Sequence, residues 1–90
     1  MPPFIWDEAK RLENQRKHKF DFVDAFAAFN DPQSYEYRSD RGDEQRCVLI
    51  GKSGEAILAV IFTIRRETLR LISVRRARKE EIEKWNANTS

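Results

Sequence analysis

Apolar positions change period several times along this 90-residue chain, and each change marks an element. Phe4-Ile5-Trp6 is a short apolar run behind two prolines and predicts a first strand or an extended edge segment. Asp7 stands where a helix N-cap would, and nothing breaks a helix before Lys17. A first helix is therefore expected over residues 7–17, with Ala9, Leu12 and Arg16 on its inward side. Behind Asp21, a second cap, Phe22, Val23, Phe26 and Phe29 recur at helical spacing, with Ala25, Ala27 and Ala28 between them. This aromatic stripe reads as core packing. Asn30-Asp31-Pro32 ends the helix, because the residue before a proline is pushed out of the helical region.

The period then shortens to two. Residues 34–38 alternate and predict a strand, and residues 39–44 form a polar loop. A strand is expected over 46–52, a hairpin turn at Ser53-Gly54-Glu55, and a central strand over 56–64. A turn over 65–68 leads to a last strand over 69–74. A short helix over 78–85, anchored by Ile82 and Trp85, closes the chain, and residues 86–90 are expected to fray. The implied class is α+β: an antiparallel sheet of about four strands, two N-terminal helices on one face and a short C-terminal helix. One strand does not suit a sheet with a wet face. Ile57, Ala59 and Ile61 form one alternating set and Leu58, Val60 and Phe62 the other, and both are apolar. The second face must be covered, by the terminal helix or by another chain, and this pattern argues for a partner.

Ninety residues make one domain over 1–90, with room for a single core, so any site lies on the surface of that fold. Seventeen basic against fifteen acidic side chains give a net charge of only +2, so the average says little. The distribution says more. Arg65, Arg66, Arg70, Arg75, Arg76, Arg78 and Lys79 collect late in the chain, interrupted before Glu80 only by Glu67. Such a patch suits a polyanion. Cys47 is the one cysteine and lies in the apolar run Cys47-Val48-Leu49-Ile50, where it reads as a buried small hydrophobe. The first residues carry no basic leader, and the longest apolar run is far short of a membrane span. A soluble cytoplasmic protein with no membrane association is expected.

Several segments together resemble the BrnT toxin family. Phe4-Ile5-Trp6-Asp7-Glu8-Ala9-Lys10 is similar to its F-x-W-D-x-x-K opening, and Asn14 with Lys17-His18 to its N-x-x-K-H element. Phe22 with Ala25, and then Phe29-x-Asp31-Pro32, resemble its second helix and stop. Glu44-x-Arg46 leads into a strand ending at Gly51, and Ile72-Ser73-Val74-Arg75-Arg76-Ala77 resembles the closing I-S-A-R-x-A. Lys19 departs from the usual glycine and Val74 from the usual alanine. The resemblance implies a RelE-like fold and a ribonuclease that degrades RNA and so arrests translation and growth. It also implies a cognate BrnA-type antitoxin with a ribbon-helix-helix domain. That antitoxin neutralises the toxin, and the pair would reach operator DNA only through it.

Metal-free RNA cleavage needs a base for a ribose 2′-hydroxyl, cations for the phosphoryl oxygens and an acid for the leaving 5′-oxygen. No metal or other cofactor is expected. Arginine suits the cationic part, because its planar fork grips phosphate at two points. Arg46, Arg65, Arg70, Arg75 and Arg76 are the candidates, each with an ordinary solvated or ion-paired alternative. Plain alternation puts Leu69, Leu71, Ser73 and Arg75 on one face of the last strand and Arg70, Ile72, Val74 and Arg76 on the other. At most one of Arg75 and Arg76 then belongs to a given pocket, and the I-S-x-R resemblance favours Arg75. His18 is the one histidine, either a catalytic acid or base or a cap on the first helix. Glu44 is the candidate carboxylate base, or simply a partner for Arg46. Lys17, Arg70, Arg76 and Arg78 are expected RNA contacts, and Lys17, Tyr35 and Tyr37 are outside candidates for proton transfer. A second function class remains open: a catalytically silent subunit that binds RNA or the antitoxin in operon autoregulation.

Overall fold

A computed structural model describes residues 4–88. Its centre is one five-stranded mixed sheet in the order β1-β5-β4-β3-β2. The strands are β1 (Phe4–Ile5), β2 (Tyr35–Arg38), β3 (Cys47–Ser53), β4 (Ala56–Arg65) and β5 (Thr68–Arg76). The four antiparallel strands lie where the alternation places them, and the fold is α+β. The fifth strand is β1, which pairs parallel with β5 through Phe4 against Leu69 and Ile5 against Arg70. Two residues behind two prolines have too short a period to reveal a pairing.

Helix α1 (Glu8–His18) starts at Asp7, whose carboxylate accepts from the Lys10 N–H, and carries Arg16, Lys17 and His18 in its last turn. Its inward side is not the expected one, since Ala9, Leu12 and Arg16 are exposed and Arg11, Asn14 and His18 face inward. The stripe is polar because the anchor is a hydrogen-bond set. Asn14 is buried; its amide donates to the Val74 and Phe20 carbonyls, and its oxygen accepts from the Val74 N–H and the Ser73 hydroxyl. A periodicity argument built on apolar residues misses such an anchor. The helix closes on Lys19, at φ 66°, with its N–H on the Gln15 carbonyl. That is the left-handed cap glycine adopts freely, so the lysine keeps the turn geometry at a cost in backbone strain.

The second helical segment is a 3₁₀ turn, Phe22–Asp24, running into α2 (Ala25–Phe29). Asp21 and Asp24 cap it reciprocally, each carboxylate accepting a backbone N–H from the other end of the turn. Phe22, Ala25 and Ala28 are fully buried against Leu49, Leu58, Val60, Phe62, Leu69, Leu71 and Val74, and Phe4, Trp6 and Phe29 complete this core. Of the expected stripe, Phe22 and Phe29 are core packing, while Val23 and Phe26 remain exposed. Gly51 of β3 passes directly under α2, where an added Cβ would lie 2.3 Å from the Ala28 carbonyl oxygen.

The last strand contains a β-bulge. Ile61 pairs with Ser73 but Phe62 pairs with Leu71, so Ile72 is the extra residue. A bulge shifts the alternation by one. Leu69, Leu71, Val74 and Arg76 therefore share the face that looks at α1 and α2. Arg70, Ser73 and Arg75, paired with Thr63, Ile61 and Ala59, share the other. The simple two-residue period put Arg70 and Arg75 on opposite faces; the bulge brings them to the same one.

That second face is covered in part by α3 (Lys79–Ala87). Ile82 and Trp85 pack with Val48, Ile50, Ala59 and Ala77, beside Tyr35, Ile57 and Ile61. The doubly apolar β4 is thus served by the terminal helix, and does not by itself require another chain. Helix α3 extends two residues beyond Trp85, where fraying was expected. The Asn88 amide holds its end by donating to the Gln33 carbonyl. Residues 89 and 90 lie outside the described ones.

Two carboxylates fasten α3. Asp31 accepts from the Gln33 N–H, the Lys52 N–H and the Trp85 indole, the last two at 2.7 Å. Burial pushes its carboxyl up, but these hydrogen bonds outweigh that and hold it below the usual range. Glu81 is 7% exposed. Arg75 grips both its oxygens, at 2.8 and 3.0 Å, while the Arg78 N–H and the Tyr37 hydroxyl also donate to it. Burial raises this carboxyl too, yet Arg75, the Arg78 N–H and Tyr37 bring it down to about 2.

Gly51→Ala is expected to cost about 1–3 kcal/mol or more, because backbone must move to admit the methyl. A denaturant midpoint unchanged from wild type would contradict the close approach. A depressed carboxyl stabilises the fold above its unfolded pKa and loses that contribution as pH falls through its folded value. Stability supplied by Glu81 is therefore complete above about pH 4.5 and lost toward pH 2. Glu81→Gln should be less stable than wild type at pH 7, with the gap closing on acidification. Parallel stability–pH curves for the two proteins would refute this.

Candidate functional site

The part of the sheet face that α3 leaves open holds a groove of about 440 Å³. Val48, Ile61 and Ile72 form its floor. Its walls are Lys17 from α1, Tyr37 from β2, Ser39, Arg41 and Arg46 from the loop after β2, Ser73 and Arg75 from β5, and Arg78 at the start of α3. Five lining residues are cationic and none is a carboxylate. Three of these cations arrive by local features already described. The Asn14 anchor fixes α1 so that Lys17 faces the sheet, and the bulge turns Arg75 into the groove. The Glu81 carboxylate, accepting the Arg78 N–H, begins α3 at the groove wall.

The cations differ in freedom. Arg75, 16% exposed, is committed to Glu81 through a two-point pair. The Glu81 hydrogen bond raises its pKa, outweighing the burial that lowers it. Arg46 pairs with Glu44 beside the groove. The Glu44 carboxyl is lowered chiefly by that hydrogen bond, with Lys10 and Arg65 adding to it, so it is ionised at neutral pH. Lys17, Arg41 and Arg78 form no ion pair among the described residues. Three such cations around an apolar floor leave a local preference for an anion.

Two further recesses matter, the first linked to the groove by the Glu44–Arg46 ion pair rather than by shared lining, the second sharing part of its lining. One, of about 220 Å³, is lined by Ile5, Lys10, Glu44, Thr63, Arg65, Thr68 and Arg70. The other, of about 180 Å³, is lined by Lys10, Glu13, Asn14, Lys17, His18, Ile72 and Ser73. The second shares Lys17, Ile72 and Ser73 with the groove, so His18 sits at its margin. His18 does not cap α1: its imidazole makes no hydrogen bond among the described residues, and Lys19 closes the helix.

Of the residues singled out from sequence, Lys17, Tyr37, Arg46, Arg75 and Arg78 meet in the groove itself. Glu44, Arg65 and Arg70 line one recess and His18 the other, so no single recess holds both His18 and Glu44. Arg76 is the exception to the gathering. It points to the opposite face, its guanidinium 5.3 Å from the centre of the Phe20 ring. The neighbours Arg75 and Arg76 are separated by strand alternation alone. Arg41, Ser39 and Ser73 were not singled out as site residues. Arg41 lies in a polar loop and reaches the groove through a tight bridge with Glu44, which leaves no periodic signal. Among the described residues no group of three His, Cys, Asp or Glu side chains is placed to hold a metal ion. No described helix is long and apolar enough to cross a membrane.

No curated protein matches the chain. A family model does match it, over residues 6–81, from Trp6 before α1 to Glu81 in α3. That span takes in every element that builds the groove. The chain therefore belongs to the family described as ribonuclease toxin, BrnT, of type II toxin–antitoxin systems, a membership that implies a cognate antitoxin and an RNA substrate.

Proposed function

We propose that this toxin is a metal-independent endoribonuclease of RelE-like fold whose basic groove holds the RNA backbone. The observation that carries the reading is the groove lining: Lys17, Arg41, Arg46, Arg75 and Arg78 converge on one open face with no carboxylate among them. In the proposed reaction a base removes the ribose 2′-hydroxyl proton and the 2′-oxygen attacks the adjacent phosphorus. The bond to the 5′-oxygen breaks, and an acid protonates that oxygen, leaving a 2′,3′-cyclic phosphate. Arg46, Arg75, Arg78 and Lys17 stabilise the charge on the phosphoryl oxygens. Glu44, paired with the groove residue Arg46, acts as base, and His18, from the recess that shares Lys17 with the groove, as acid. Arg65 and Arg70 steady the strand beyond. Neutralisation falls to a BrnA-type ribbon-helix-helix antitoxin, through which alone the pair contacts operator DNA, all in the cytoplasm.

The separation of His18 and Glu44 favours a second reading, in which the chain binds RNA or antitoxin without cutting. Purified protein that binds an oligoribonucleotide and leaves it intact would select that reading.

Induction of the chain alone in a bacterial host is expected to arrest growth with loss of RNA. Purified His18→Ala should cleave about 10²–10⁴-fold more slowly, and Arg46→Ala should also be impaired. Arg75→Ala is a poor probe, because stranding the buried Glu81 charge costs about 3–5 kcal/mol of stability. Arg75→Lys keeps the charge and loses the two-point grip, and is expected to fold with reduced activity. Unimpeded growth at high soluble expression would refute the proposal.

A further inference from the structure

Beside the groove, on its α3 side, lies a recess of about 280 Å³ lined by Tyr35, Tyr37, Arg78, Glu80, Glu81 and Lys84. Its chemistry differs from that of the groove. Two aromatic rings stand side by side, their centres 6.5 Å apart and their planes at 30°. They are held at their far ends, since the Tyr35 hydroxyl donates to the Glu81 carbonyl at 2.9 Å and the Tyr37 hydroxyl to the Glu81 carboxylate. Rings fixed in this way lose little freedom when something stacks on them. Tyr37 is nevertheless 37% exposed. The carboxylates of Glu80 and Glu81 make the recess a poor place for a second phosphate, while Arg78 and Lys84 keep it from repelling a polyanion. An uncharged, flat, polar-edged group fits best.

Tyr37 and Arg78 line both the recess and the groove. A nucleotide whose phosphate lies among the groove cations would therefore meet an aromatic face one step away. We propose that Tyr37, backed by Tyr35, is a nucleobase-stacking subsite that positions the base next to the phosphate held in the groove. This rests on the reading of the groove as the RNA-backbone site and adds to it a base-contacting residue. Stacking on an aromatic face tolerates every base, so the subsite positions single-stranded RNA and excludes paired RNA, whose bases are not free to splay out.

The test is binding of a short single-stranded oligoribonucleotide, made non-cleavable by 2′-O-methyl riboses. It is compared with an oligonucleotide of the same length and charge bearing abasic sites. Tyr37→Leu is expected to weaken the base-bearing strand by about tenfold and to leave the abasic strand within about twofold. Tyr37→Phe, which keeps the ring, should bind the base-bearing strand within about threefold of wild type. Arg78→Ala should weaken both strands alike. Equal effects of Tyr37→Leu on the two strands, or no effect on either, would overturn the subsite. Loss of binding in Arg46→Ala and Arg78→Ala together with an indifferent Tyr37→Leu would sink the subsite alone. Indifference of all three variants would sink the groove reading with it. Should Tyr37→Leu not fold, Tyr37→Trp replaces it, and is expected to hold the base-bearing strand at least as tightly as wild type. A tenfold loss in that variant, confined to the base-bearing strand, would also overturn the proposal.

Discussion

A single buried carboxylate joins the parts of this molecule that face its groove. Glu81 lies at the start of α3, yet its oxygens accept from Arg75 on β5, from Tyr37 on β2 and from the Arg78 N–H of its own helix. One charge therefore sets where α3 begins, which way Arg75 points and how Tyr37 stands. A carboxylate in so dry a place is tolerable only with its full set of partners, and here four donors supply it. The consequence for the groove is electrostatic. Arg75 is ion-paired and rigid, whereas Lys17, Arg41 and Arg78 form no ion pair among the described residues. Preorganised and free cations thus stand side by side, an arrangement suited to meeting a phosphate without reorganising at the moment of binding.

The opposite wall depends on a neutral anchor. Asn14 uses its amide on both the N–H and the C=O of Val74, two residues after the bulged residue Ile72. The bulge and the anchor are two halves of one device. An extra residue disrupts the β4–β5 ladder and turns the strand, and the asparagine ties α1 to the strand just beyond it. Lys17 and His18 follow Asn14 by three and four residues, so they come out on the same side of α1. The family description of the chain as a ribonuclease toxin and the convergence of cations on this face point in the same direction.

Much of this was legible in the sequence, and the misses have physical causes. The strands from β2 to β5, the aromatic core helix and the anchors Ile82 and Trp85 follow from period and turn chemistry. Four of the nine main candidates singled out from the sequence, Lys17, Arg46, Arg75 and Arg78, line one groove. What escaped depends on contacts far apart in the chain. A bulge at Ile72 has no local signature, so plain alternation puts Ser73 and Arg75 on the face of Leu69 and Leu71 and away from Arg70. Asn14 carries no apolar signal, so the inward side of α1 was misread as Ala9, Leu12 and Arg16. Arg76 belongs to the same basic run as Arg75, and only the alternation separates a groove residue from one stacked on Phe20. The doubly apolar β4 was a true signal of a covered face, and the cover is largely the chain's own α3.

The most direct test of the groove as the RNA-backbone site is the salt dependence of binding to a non-cleavable single-stranded oligoribonucleotide. Each phosphate neutralised by a cation contributes a slope of about −0.7 to the plot of log affinity against log salt. The account predicts a steep negative slope for the wild type, made shallower by about 0.7 in each of Lys17→Ala and Arg41→Ala. Arg76→Ala, altered on the opposite face, should keep the wild-type slope. A slope that changes with Arg76 and not with Lys17 or Arg41 would place the RNA elsewhere and contradict the account.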